Sequence, residues 1–140
     1  MQAQAQDGGR VVELQSDHDY QQALNEQIAS NAAAVYKFTA KWCGPCKMMA
    51  PLYQRLSEEL HPHVRFYSVD IDNKDARAIV EANKVVGVPN FSFFIGGEKV
   101  GAFRGAKKDQ LLATLQQLQA AQQEMVAQSA EVVYQAEAVA

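Results

Sequence analysis

The stretch WCGPCK at residues 42–47 holds both cysteines of a 140-residue chain, three positions apart. A Cys-x-x-Cys pair suits dithiol–disulfide exchange, metal ligation or haem attachment. Haem attachment needs a histidine directly after the second cysteine, where this chain has Lys47. A structural zinc site takes four ligands, and here no second Cys-x-x-Cys exists, while His18, His61 and His63 lie outside finger-like spacing. Metal is therefore a minor reading, as are two inert buried thiols, and exchange is the leading one. With both cysteines in one motif, no structural disulfide framework is open to the chain, and a hydrophobic core must supply its stability.

The elements around the pair say how it is placed. AAAVYKFTA, residues 32–40, is a near-continuous uncharged run broken only by Lys37, as expected for a central strand covered on both faces. A helix follows from Gly44 toward Leu60, with Met48, Leu52, Leu56 and Leu60 as its apolar stripe and Pro51 set to kink it. Cys43 then lies at a helix N-terminus, where aligned peptide dipoles favour a thiolate. Thiolate is the species that attacks a disulfide, and the i, i+3 spacing brings Cys46 close enough to attack Cys43 in turn. Pro45 fits the first turn, where its missing N–H costs nothing.

Elsewhere strand-like and helix-like periods alternate, the pattern of an α/β domain. RVVELQ is a short strand; Ser16 caps a helix whose apolar positions are Tyr20, Leu24 and Ile28. VRFYSVDI is a strand joined to the central one by a parallel crossover, and KDARAIVEANKV holds a short helix. Two apolar runs flank Gly96-Gly97 as a hairpin would, and a last helix starts near Lys107. The 140 residues are 48% hydrophobic, enough for one core. A net charge of −3, from 13 basic and 16 acidic residues, offers no stripe to nucleic acid and no patch to a membrane. The N-terminal MQAQAQDGGR lacks an apolar signal region, and no segment has the roughly 20 apolar residues of a membrane span, so a cytoplasmic protein is expected unless a transit peptide has been removed.

WCGPCK, VGVPNF at residues 86–91 and RGA at residues 104–106, in that order and spacing, resemble the thioredoxin family over residues 11–118. The resemblance implies an α/β thioredoxin fold, a central mixed β-sheet flanked by helices on both faces. It implies a monomeric protein-disulfide reductase that binds no metal or cofactor, acts on disulfide-containing proteins and receives electrons from NADPH through a separate thioredoxin reductase. Cys43 would attack and Cys46 resolve; Val88-Pro89 would be a cis bond facing them. The substrate groove would comprise Trp42, Gly44, Pro45, Gly87, Val88, Pro89, Gly105 and Ala106, with the Val88 backbone pairing to an extended substrate. The alternatives are a disulfide oxidase or isomerase, disfavoured by Gly-Pro between the cysteines, and a binding module that docks through the groove or the C-terminal extension.

The chain departs from the family's pattern in three places. Lys37 stands where a buried aspartate is usual, Asn90 follows the proline where threonine is usual, and Arg104 adds charge beside the groove. Strand alternation puts Val35, Lys37 and Thr39 on one face, so Lys37 either snorkels to water, pairs with an acid such as Asp70 or Asp72, or loses its proton. If it stays near Cys46 it takes over the catalytic role of the aspartate and keeps that thiol easier to deprotonate. Lys41, Lys47 and Lys84 read as solvated surface. Residues 1–10 are expected as a flexible extension, and residues 119–140 as a helical or frayed one, with fraying past about Gln122 the simpler expectation.

Overall fold

The computed structural model of the chain describes residues 5–139, with side chains described from residue 9 to residue 128. Its elements in chain order are β1 (Ala5–Gly8), β2 (Val11–Glu13), α1 (Asp17–Ser30), β3 (Ala33–Thr39), α2 (Gly44–Leu60), β4 (Val64–Asp70), a short 3-10 turn (Lys74–Ala76), α3 (Arg77–Ala82), β5 (Asn90–Ile95), β6 (Glu98–Arg104) and α4 (Lys108–Val139). The strands form one mixed sheet in the order β1-β2-β4-β3-β5-β6. β2, β4 and β3 run parallel to one another, β5 pairs antiparallel with β3, β6 pairs antiparallel with β5, and β1 pairs antiparallel with β2. Residues 5–8 are thus a strand within the segment expected to be a flexible extension, and α4 remains helical past Gln122, through Val139.

β3 is buried along almost its whole length because helices cover both faces of the sheet. Alternation sends Ala33, Val35 and Lys37 toward α2 and α4, where Met49, Leu52, Tyr53, Leu56, Leu111 and Leu115 close the larger core. Ala34, Tyr36 and Phe38 turn toward α1 and α3, into a second core with Leu14, Tyr67, Val69, Ile79 and Phe94. The hairpin between β5 and β6 turns on Gly96 (φ 59°) and Gly97 (φ 84°), two positive φ values in a row, which favour glycine at both positions of a two-residue turn.

Two helix faces differ from the expected stripes. Ser16 caps α1 as read, its hydroxyl accepting the Asp19 N–H at 3.1 Å. But Ala23 and Gln27 face the core, while Ile28 is 61% exposed. In α2, Met49 is buried and Met48 is 63% exposed. At about 100° per residue a four-residue step overshoots a full turn by about 40°, so a stripe read only at i, i+4 winds off the core side. Pro51 is accommodated within α2, which continues to Leu60.

Candidate functional site

The end of β3 delivers Cys43 to the start of α2, and Cys43 serves as the N-cap. Its sulfur accepts the Cys46 N–H at 3.2 Å, taking up one of the donors that a helix N-terminus leaves without a partner. Gly44 and Pro45 form the exposed turn between the two cysteines. Cys43 and Cys46 are joined as a disulfide with their Cα atoms 5.3 Å apart. The backbone thus offers a hydrogen bond and a positive dipole end to the Cys43 sulfur. The expected contrast in exposure is slight: Cys43 is 4% exposed and Cys46 2%, packed with Ala40 against Ile71 and Val88.

Opposite the disulfide, Val88-Pro89 is a cis bond, and the Val88 carbonyl oxygen lies 3.8 Å from the Cys43 sulfur. The Gly105 N–H donates to the Pro89 carbonyl at 2.8 Å, tying the loop after β6 to this segment. Gly105 has φ 111°, a conformation that favours glycine. The flexible Arg104 side chain lies across Gly87, where a Cβ would come within 2.9 Å of its Cδ. Trp42 is 67% exposed, and its indole N–H donates to Asp72 at 2.8 Å. Ala106 is exposed. Asn90 is buried at the start of β5, its side-chain oxygen accepting from the Ser92 hydroxyl.

Beneath the disulfide lies a cavity of about 280 Å³, lined among others by Glu13, Lys37, Cys46, Lys47, Ser68 and Asp70. Lys37 does not snorkel to the surface. It is 2% exposed, with its Nζ 4.8 Å from the centre of the Tyr53 ring, whose electron-rich face favours an ammonium. Of the two acids proposed for it, Asp70 lines this cavity, whereas Asp72 bonds Trp42. Lys41, Lys47 and Lys84 are exposed, as read.

Sequence reasoning missed Tyr53 and Glu13 and gave Asp72 a different partner. Asp72 orients the tryptophan, Tyr53 underlies the lysine, and Glu13 reaches the cavity from β2. Alternation alone marks Glu13, a charge at the inward position two residues after the buried Val11.

A strand-to-helix Cys-x-x-Cys facing a cis-proline loop, on a mixed sheet covered by helices on both sides, defines a protein that exchanges disulfides with other proteins. Residues 11–117 match the thioredoxin family model. Over 108 residues the chain is 41% identical to thioredoxin of Sus scrofa and 40% identical to that of Homo sapiens, in each case covering 77% of this chain and 98% of the relative. Among solved structures, thioredoxin NaTrxh of Nicotiana alata is similar with a TM-score of 0.73 and 29% identity, over 83% of this chain and 98% of that one. Thioredoxin O2 of Arabidopsis thaliana in its oxidized state has a TM-score of 0.70 and 32% identity, over 81% and 98%. The chain belongs to the thioredoxin family. It is a thiol-disulfide oxidoreductase that reduces protein disulfides.

Proposed function

We propose that Cys43 is the attacking thiol and Cys46 the resolving thiol, and that the groove of Trp42, Gly44, Pro45, Gly87, Val88, Pro89, Gly105 and Ala106 receives the substrate chain. The single observation behind the assignment is the cap: the Cys43 sulfur takes the hydrogen bond and the dipole end, which lower a thiol's pKa and raise its thiolate fraction. A partner's extended strand pairs with the Val88 backbone and brings its disulfide against Cys43. The Cys43 thiolate attacks one sulfur, the partner's other sulfur leaves as a thiolate, and a mixed disulfide forms. Cys46 then attacks Cys43 and releases the reduced partner, leaving the disulfide seen here.

In this reading Lys37 assists the second attack, because its side chain shares a cavity with Cys46 and the cation–π contact supports its charged form. A monomer in the cytoplasm, without a bound cofactor and recharged by a separate NADPH-dependent thioredoxin reductase, completes the proposal; the family's chemistry supports that electron source. The test is NADPH-coupled reduction of a disulfide-bonded model protein in the presence of a thioredoxin reductase. Wild type should turn over, and Cys43→Ser should fall to background. Turnover that persists in Cys43→Ser would refute the assignment, and an inert wild type would point to a docking module.

A further inference from the structure

One rung of the sheet on its α2 and α4 side carries unusual residues for its depth. Glu13 on β2 stands opposite Ser68 on β4, Ser68 opposite Lys37 on β3, and Lys37 opposite Phe91 on β5. The equivalent rung two residues earlier is Val11, Phe66, Val35 and Phe93, all buried and apolar. The polar rung therefore begins directly below the first turn of α2. Neighbouring strands are about 4.8 Å apart, which puts the Glu13 and Lys37 backbones about 10 Å from each other. Ser68 between them is short, leaving space above it for a glutamate and a lysine side chain to approach. Both line the cavity that also touches Cys46. A buried ammonium without a counter-charge is costly, and Glu13 is the acid that the topology puts in its own rung.

We propose that Glu13 takes the Cys46 proton in the resolving step, through water held in this polar cavity, and that Lys37 stabilises in turn the Glu13 carboxylate before transfer and the Cys46 thiolate after it. The cavity is roomy and polar enough to hold water. Atoms and electrons balance as follows. The Cys46 S–H gives its proton to the Glu13 carboxylate, and the thiolate forms a bond to the Cys43 sulfur. The bond between Cys43 and the partner's sulfur breaks, and its electron pair leaves on the partner's thiolate, which then takes up a proton. The other charged or titratable groups lining the cavity are Asp70 from β4, Lys41 from the loop before Cys43 and Lys47 from α2, while Tyr53 of α2 lies against Lys37. Asp70 is the rival acceptor; it stands opposite Thr39 at the open end of the sheet, and its Oδ1 accepts the Asp72 N–H at 2.9 Å.

The proposal rests on the reading of Cys46 as the resolving thiol, and one experiment separates the two. Reduced protein is mixed in a stopped-flow instrument with a small aromatic disulfide whose thiolate absorbs visible light, between pH 5 and pH 9. The first burst reports attack by Cys43 and the second reports resolution by Cys46. Glu13→Gln should slow the second phase about tenfold or more near pH 6.5, a conservative threshold beneath the roughly 10²–10⁴-fold typical of general-base effects. The first phase should stay within about twofold of wild type. The deficit should shrink toward about pH 9, where a thiol ionises unaided, and Glu13→Asp should recover part of the rate. If Glu13→Gln does not fold, Glu13→Asp, with its carboxylate drawn back by one methylene, should itself slow the second phase selectively. A second phase unchanged by substitution of Glu13, a slowing equal at every pH, or a loss reproduced by Asp70→Asn would overturn the proposal. A second phase that survives in Cys46→Ser would instead overturn the assignment of the resolving thiol.

Discussion

Tyr36 and Lys37 are consecutive residues of β3, both buried, and they face opposite sides of the sheet. The Tyr36 hydroxyl accepts a hydrogen bond from Gln27 of α1, and its ring stacks on Tyr67 and meets Phe94 edge-on. Burial pushes its phenol well above the usual range, outweighing the Gln27 hydrogen bond that pulls it down, with Tyr67 and Tyr20 adding to the rise. That polar group is sealed and stays neutral. Lys37, one position on, opens on a polar cavity shared with a reactive sulfur. The contrast separates two settings for a buried polar group: on the α1 side it is packed against a hydrogen-bond partner, and on the α2 side it lines a cavity that also touches Cys46.

Exchanging those roles should give effects of different kinds. Lys37→Leu should have the largest effect, slowing resolution of a mixed disulfide about tenfold or more at neutral pH and raising the Cys46 pKa. Alkylation of Cys43 should change little. Single-turnover kinetics and thiol titration read both, and indifference of both would reduce Lys37 to a packing residue and dissolve the contrast.

Tyr36→Phe should do the converse. Removing the hydroxyl leaves the Gln27 amide without that buried acceptor, which should cost about 1–2 kcal/mol of stability in denaturant unfolding while reduction rates stay within about twofold. The pH dependence sharpens the point. Because the folded phenol binds its proton more tightly than an unfolded one, its contribution is fully present below about pH 10 and is lost as pH rises above that value, at up to about 1.4 kcal/mol per pH unit. Tyr36→Phe should make the alkaline loss shallower, with Tyr67 and Tyr20, also raised by burial, accounting for the remainder. A rate defect in Tyr36→Phe as large as that of Lys37→Leu would erase the distinction between the two faces.

The smallest effect should come from outside both cores. α4 contributes Leu111, Leu115 and Leu118 to the larger core, and its last described tertiary hydrogen bond runs from the Gln122 side chain to the Asn31 carbonyl at 3.3 Å. Deleting residues 123–140 should therefore change stability by less than about 1 kcal/mol and activity by no more than a few-fold. Size-exclusion chromatography with light scattering would detect a role in assembly, which would require the groove and the extension to be treated together.

Much of this was legible in the residues because the informative signals are local. Cys43 at the strand-to-helix junction, Ser16 as a cap and the paired glycines of the hairpin each dictate backbone geometry within a few positions. The helix faces were harder: Met48 and Met49 are equally apolar, and only packing against the sheet decides which one is buried. Gln27 sits at a core position because Tyr36, nine residues away, gives it a partner. Trp42 lies far from Asp72 in the chain, and Glu13 from Lys37; that the first pair bonds and the second lines one cavity follows only once the strand order is known. Alternation shows that Glu13 points inward, but not that β4 places Ser68 between it and Lys37.

The most direct test of the exchange mechanism is to mix Cys46→Ser with a disulfide-bonded model protein and locate any covalent adduct by mass spectrometry. The assignment predicts a stable one-to-one mixed disulfide through Cys43, with Cys43→Ser forming none. An adduct through Cys46 in Cys43→Ser, with none in Cys46→Ser, would contradict it.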